Sequence, residues 1–222
     1  MRFRSVERYN TGVQDTTTAV FREPYAGRNR PERIVTFGAF LRVARTLETH
    51  GKLRYVRETG AVYGAAARAE VADDSAKLEH TRLVEALNRG RKWARERFVR
   101  WLDPLLEANI AVAIVPSHDA FNTEWPLRDL ARAIVAAAPE RTDATEVLVR
   151  HTTIRRIVYG GPSTPELHRE TIRVESPNLV AGRAVFLLDD ITKSGMSLRT
   201  CRDLLYESGA TLVQAVALAR VV

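Results

Sequence analysis

The chain has 222 residues, 45% of them hydrophobic and 27% charged, with a formal net charge of +7. That is apolar material for one generous α/β domain with an appendage; it is too short for two full-sized enzymatic domains and too apolar for a disordered, collagen-like or low-complexity chain. No apolar run approaches the roughly 20 residues that span a bilayer and the start lacks the apolar stretch of a secretory signal, so a cytoplasmic protein away from membranes is expected.

Residues 1–31 are polar, turn-rich and weakly periodic, which predicts a loop or extended arm. Across 32–51 the apolar positions Ile34, Phe37, Phe40, Leu41, Ala44 and Leu47 recur at helical spacing and predict a helix stopped by Gly51. Residues 54–63 alternate loosely, as a pair of short strands turning at Thr59-Gly60 would. Residues 75–106 are charged and helical, with a break near Gly90 and a buried stripe of Leu78, Leu83, Leu87, Trp93, Phe98, Trp101 and Leu105. Residues 1–107 are thus expected to form a mainly helical region. It is also the basic one: residues 1–110 hold 21 Lys+Arg against 14 Asp+Glu, and the remainder 13 of each. Such a surface attracts polyanions, nucleic acid included, although at this density a generic solvated face accounts for it as well.

From residue 108 short apolar runs alternate with helical segments, the pattern of βαβ units on a Rossmann-like, mostly parallel sheet. Residues 111–115 read as a buried strand, 126–138 as a helix, 146–149 as a second strand and 171–174 as a third. Between the last two strands lies a long polar loop around Tyr159-Gly160-Gly161-Pro162-Ser163-Thr164-Pro165. Residues 184–188 are continuously apolar, as a central parallel strand requires. Residues 196–208 predict a helix closed by Gly209, and 212–222 a final strand. The single cysteine, Cys201, falls inside that helix, where a buried structural thiol is expected; without a second cysteine, an intrachain disulfide and a cysteine-rich zinc module are excluded.

Chemistry concentrates where Val185-Phe186-Leu187-Leu188 runs into Asp189-Asp190-Ile191-Thr192-Lys193-Ser194-Gly195-Met196-Ser197. Two adjacent carboxylates at the carboxyl end of a parallel strand stand where open α/β sheets bind ligands; they can accept hydrogen bonds from hydroxyls or hold a divalent cation. The turn that follows offers hydroxyls, an ammonium and the amides of a helix N-terminus, a cradle for a phosphate. Carboxylates for a sugar and amides for a phosphate make a sugar-phosphate site. The plain alternative is a strand terminus followed by an N-cap at Ser194 or Ser197; the conjunction of strand, acid pair, hydroxyl-rich turn and helix disfavours it.

This stretch resembles the phosphoribosyl pyrophosphate (PRPP) signature of type I phosphoribosyltransferases: four apolar residues, two acids, two further residues, then a hydroxyl-rich turn with glycine and a closing serine or threonine. The likeness extends over about residues 108–222 and implies the type I phosphoribosyltransferase fold there. It implies that Asp189 and Asp190 hold the ribose 2′- and 3′-hydroxyls, and that Thr192, Lys193, Ser194, Gly195, Met196 and Ser197 wrap the 5′-phosphate. Lys193 departs from the family, which usually has a small hydroxyl or apolar residue there; it either adds a phosphate contact or points into solvent. The family's pyrophosphate loop corresponds to Pro116-Ser117-His118-Asp119, making Ser117 and His118 candidate contacts, with a surface histidine the alternative for His118. Phe121-Asn122 and the approach through Asn88-Arg89-Gly90-Arg91-Lys92 resemble the ComF-like branch, whose four-cysteine zinc element this chain lacks.

The resemblance also makes 152–169 the mobile active-site loop, hinged at Gly160-Gly161 and restricted by Pro162 and Pro165, with Arg155, Arg156, His168 and Arg169 as candidates to reach the pyrophosphate. The implied reaction is displacement of pyrophosphate at the ribose anomeric carbon by a nitrogen of a base-like acceptor. Mg²⁺ would be held mostly by the substrate's oxygens, with Asp189 as a protein ligand, direct or through water. A hood recognising the acceptor would come from residues 1–107, where Phe37, Phe40, Tyr55, Tyr63, Trp93 and Trp101 are stacking candidates or ordinary core. The competing readings are a non-catalytic PRPP or nucleotide sensor acting in DNA uptake, repair or regulation, and a hydrolase that sends PRPP to water. Family members are often homodimers.

Overall fold

The computed structural model describes residues 19–41, 43–47, 53–57, 68–155 and 164–222. In chain order the elements are β1 (Val35–Thr36), β2 (Ala39–Phe40), β3 (Val43–Leu47), β4 (Leu53–Arg57), α1 (Arg68–Asn88), α2 (Lys92–Leu102), β5 (Ile110–Ile114), α3 (Pro126–Ala136), β6 (Thr142–Asp143), β7 (Leu148–Arg150), α4 (Pro165–Thr171), β8 (Ile172–Val174), β9 (Ala184–Thr192), α5 (Met196–Glu207) and β10 (Leu212–Val221).

Long apolar runs make buried parallel strands, and β5, β9 and β10 are built that way. The central sheet runs β6-β5-β9-β10, with β1 and β2 both on the outer edge of β10, and every pairing in it is parallel. Successive side chains serve opposite faces. Ile110, Val112, Ile114, Phe186 and Leu188 join α1, α2 and α3 in one apolar cluster. Ala111, Ala113, Val185, Leu187, Ala215 and Ala217 join α5 in the other. The result is an α/β architecture, a mostly parallel sheet flanked by helices, compatible with a Rossmann-like fold. Among the described residues no helix is long and apolar enough to cross a membrane.

This topology makes a crevice. From β5 the chain passes through α3 to β6 on one side, while from β9 it passes through α5 to β10 on the other. Right-handed crossovers taken in opposite directions put α3 and α5 on opposite faces. They leave a gap between the loops after β5 and β9, the switch point at which such sheets take their ligands.

The first half is less helical than its spacing predicts. The expected helix over 32–51 is replaced by β1, β2 and β3. The edge of β10 offers unpaired backbone groups, and residues 35–40 satisfy them: the Phe37 amide donates to Ala217 O at 3.3 Å, the Arg220 amide to Gly38 O at 2.9 Å and the Val222 amide to Phe40 O at 3.2 Å. A bend at Phe37-Gly38 lets Val35, Phe37 and Phe40 all pack on the same cluster, and that two-then-three spacing imitates a helical stripe. Gly38 is required by its neighbour, because a Cβ there would run into the His80 ring. His80 in turn donates through Nε2 to Leu218 O at 2.9 Å. Of the predicted strand pair over 54–63, β4 is present, but it pairs antiparallel with β3, which precedes it; residues 58–63, Tyr63 included, lie outside the described residues, as do arm residues 1–18.

Three further expectations change. Trp93 and Trp101 are 54% and 41% exposed; the inward face of α2 is Ala94, Phe98 and Leu102, one residue round the helix from the tryptophans. The strand near 146–149 is β7, and it pairs antiparallel with β8 outside the central sheet, whose edge is β6 instead. The loop predicted over 152–169 ends in α4, which opens with Thr164 as N-cap, its Oγ1 accepting from the Leu167 amide at 3.2 Å, and Pro165 at the first helical position. The elements near 111–115, 126–138, 184–188, 196–208 and 212–222 form as their patterns predict, as does the helix break at Gly90.

Candidate functional site

β9 outruns its apolar stretch, staying parallel-paired until Asp189, Ile191 and Thr192 lie opposite Ala217, Ala219 and Arg220 of β10. The alternation that sends Leu187 to the α5 face and Leu188 to the α1 face therefore continues into the acids. Asn88, the last residue of α1, donates through Nδ2 to Asp190 Oδ2 at 2.8 Å. Asp189 lies on the other side, near enough to the Cys201 thiol of α5 to act on it; burial pushes that thiol up, away from reactivity. Burial, with the adjacent Asp190 carboxylate, also holds the Asp189 carboxyl well above the usual carboxylate range. Ligand hydroxyls or a cation at this carboxyl would offset that cost.

The turn from β9 into α5 is shaped by Gly195. Its φ is +76°, and a Cβ there would run into Ile34 Cδ1, so the left-handed backbone and the lack of room both require glycine. Ser194 Oγ accepts from the Met196 amide at 3.3 Å, and the Ser194 carbonyl accepts from Arg199 Nη2 at 2.7 Å. The first helical bond of α5 is Arg199 N to Gly195 O, which leaves the preceding amides at the positive end of the helix dipole for an anion. Lys193 and Ser194 are exposed, and Thr192 is buried.

Beside the turn sits a cation that the sequence did not single out. Arg150, at the end of β7, is 5% exposed. Its Nε donates to the Ser117 carbonyl at 2.6 Å and its Nη1 to Thr171 Oγ1 at 2.6 Å. Among the described residues no carboxylate pairs with it. Burial lowers its pKa, but an arginine stays charged. His168 of α4 is fully buried next to it, and burial first, then the Arg150 charge, lower its pKa from 6.5 to about 4; the imidazole is neutral at neutral pH. Its Nε2 lies 3.2 Å from Ser197 Oγ.

One cavity of about 430 Å³ opens between the loops after β5 and β9. Asp189, Asp190, Thr192, Lys193, Ser194, Gly195, Met196 and Ser197 line it from one side, and Ser117 and His118 from the other. Arg150, His168, Asn88 and Asn122 add further polar groups to the lining. The β5 loop is tied down locally: Thr153 Oγ1 donates to Asp119 Oδ1 at 3.1 Å, and the Ile154 amide donates to the His118 carbonyl at 2.9 Å.

Other predicted residues are elsewhere. Arg155 is exposed and is not part of the cavity lining; Arg156 and the Gly160-Gly161-Pro162 hinge lie outside the described residues. Arg169 turns away to Glu207, at 2.8 and 3.1 Å, on the far end of α5. Residues missed as site groups are Arg150, whose only local signal is a charge closing the apolar run Val147-Leu148-Val149, and Trp125, which precedes α3. No known protein-family model matches the chain, and no curated protein is similar to it in sequence.

Proposed function

We propose that the protein is a PRPP-dependent phosphoribosyltransferase of the type I fold. The observation that carries this reading is the meeting, in one switch-point cavity, of an acid pair, a glycine-shaped turn at a helix N-terminus and the buried cation Arg150. A sugar with hydroxyls, a phosphate at one end and a diphosphate at the other matches those features in order. Asp189 and Asp190 accept from the ribose hydroxyls, the 192–197 turn takes the 5′-phosphate, and Arg150 with Ser117 and His118 faces the diphosphate. The contact expected of Arg155 thus passes to Arg150.

In the reaction, the bond from the anomeric carbon to the diphosphate oxygen breaks with its electron pair leaving on oxygen. An acceptor nitrogen forms the new bond to that carbon and gives up its proton to water or to the departing diphosphate. The chain's own contribution is to hold both reactants in line and to stabilise charge growing on the leaving group; losing one such positioned donor or cation typically costs about 10²–10³ in kcat. The acid pair offers the oxygen ligands that Mg²⁺ takes, and since this ion keeps waters and phosphate oxygens by preference, the pair fits an ion that arrives with most of its ligands. Mg²⁺ on a diphosphate is such an ion, with Asp189 as its contact, and when bound it would neutralise charge on the leaving group.

The test is pyrophosphate release from PRPP and Mg²⁺ across a panel of nitrogen heterocycles. Acceptor-dependent release that a folded Asp190→Asn variant loses supports the transferase. Release without any acceptor identifies a hydrolase, and release with none of the heterocycles and no acceptor counts against the reading.

A further inference from the structure

The cavity has two unlike halves. On the α5 side are Arg150, His168, Ser117 and the 192–197 turn. On the α1–α3 side the lining is Phe40, Trp125, Pro126, Leu127, Ile191 and Val221. Leu127 belongs to the apolar cluster under the α1–α3 face, and Phe40, Trp125 and Ile191 pack against it. Phe40 is in register with Val221 at the carboxyl end of β10. The Trp125 ring is braced by Arg128, whose guanidinium lies 4.9 Å from its centroid, and that charge is engaged by Glu124 at 3.8 Å and Glu146 at 3.5 Å.

The Asp190 carboxylate, which accepts from Asn88, stands at the border of this second half. A carboxylate on a ligand placed there would lie against apolar walls and face the like charge of Asp190. The polar groups on offer are amides. Asn88 has its Nδ2 engaged with Asp190, which leaves Oδ1 as an acceptor, and Asn122 brings a second carboxamide to the lining. Flat apolar walls with amide groups at the rim suit a planar ring whose edge carries both N–H and C=O or ring nitrogen.

We propose that this half is the acceptor subsite and that it takes a neutral aromatic nitrogen heterocycle, stacked on Trp125 and Phe40, in preference to an acceptor bearing a carboxylate. The proposal rests on the reading of the other half as the PRPP site. It names Trp125 and Phe40 as the residues that determine acceptor specificity.

The experiment begins with PRPP and Mg²⁺ titrated into the full chain, which tests that underlying reading alone. Initial rates of pyrophosphate release are then compared between neutral probes (adenine, hypoxanthine, uracil, cytosine) and carboxylated ones (orotate, nicotinate, quinolinate). At least one neutral probe should exceed every carboxylated probe in kcat/KM by tenfold or more. Trp125→Ala should raise the KM for that probe at least tenfold while the Kd for PRPP stays within about twofold, and Trp125→Phe should restore most of the loss. If Trp125→Ala does not fold, Phe40→Leu is read in the same way. A carboxylated probe that is the better substrate overturns the proposal, as does a folded variant at Trp125 or Phe40 with an unchanged acceptor KM. Failure to bind PRPP, or turnover of no probe of either kind, removes the reading beneath it; PRPP binding with turnover of carboxylated probes only removes the acceptor proposal alone.

Discussion

His168 Nε2 stands 3.2 Å from Ser197 Oγ, and the two residues come from different parts of the site. His168 belongs to α4, at the far end of the segment between β7 and β8, and Ser197 to the first turn of α5. For the serine to donate its proton to a phosphate oxygen, the imidazole must present Nε2–H to Oγ, which a neutral ring can do. His168→Ala and Ser197→Ala should therefore each weaken binding of ribose 5-phosphate by about tenfold, the loss of a single hydrogen bond at about 1.4 kcal/mol. The double variant should lose little more, since both delete one contact. Titration calorimetry on the folded variants checks this. The same histidine sets a pH limit. The unfolded chain protonates it near 6.5 and the folded protein only at about 4, so between those values the unfolded state binds more protons and stability falls as the pH drops. Melting temperature plotted against pH from 6.5 to 4 should be flatter in a folded His168→Gln variant.

Asp189 works with the opposite sign. Burial and Asp190 raise its pKa in the folded state, so above its ordinary value the folded protein holds a proton that the unfolded chain gives up, and the cost of ionising it grows as the pH rises. Asp189→Asn should accordingly raise the melting temperature of the ligand-free protein at pH 7 while abolishing PRPP binding. Equal loss of fold and of binding would show that the residue is structural.

Arg150 is expected to separate the two ends of the ligand. Arg150→Met should weaken binding of inorganic pyrophosphate at least tenfold and leave ribose 5-phosphate within about threefold, measured by competition. Arg150→Lys should not restore it, because the fork that reaches both Ser117 O and Thr171 Oγ1 has no counterpart in an ammonium.

The legibility of these residues in the sequence follows from where their partners lie. The acid pair, the 192–197 turn and the strands β5, β9 and β10 are contiguous patterns, whose chemistry or burial is written in neighbouring residues. Residues 35–40 are different, for they are strands only because the edge of β10, about 180 residues later in the register of Val35 with Val216, is there to pair with. Arg150 is likewise one basic side chain among many until folding brings in the Ser117 carbonyl, 33 residues away. Arg155 has the better local case, sitting in a loop of the expected place, yet it stays exposed while Arg150 is buried in the cavity wall.

Gly195 tests the turn itself. Alanine there must adopt φ near +76° and displace Ile34, a strain of about 1–3 kcal/mol. Gly195→Ala should lower the melting temperature by several degrees and weaken ribose 5-phosphate binding, with Gly27→Ala, where a Cβ meets nothing within 4 Å, as the silent control.

The most direct measurement is a calorimetric titration of PRPP, with and without Mg²⁺, into the wild-type chain and into a folded Asp189→Asn/Asp190→Asn variant. Micromolar binding that the variant loses is the predicted result. Folded wild-type protein that takes up no PRPP, or a variant that binds it equally well, would contradict the assignment of this cavity.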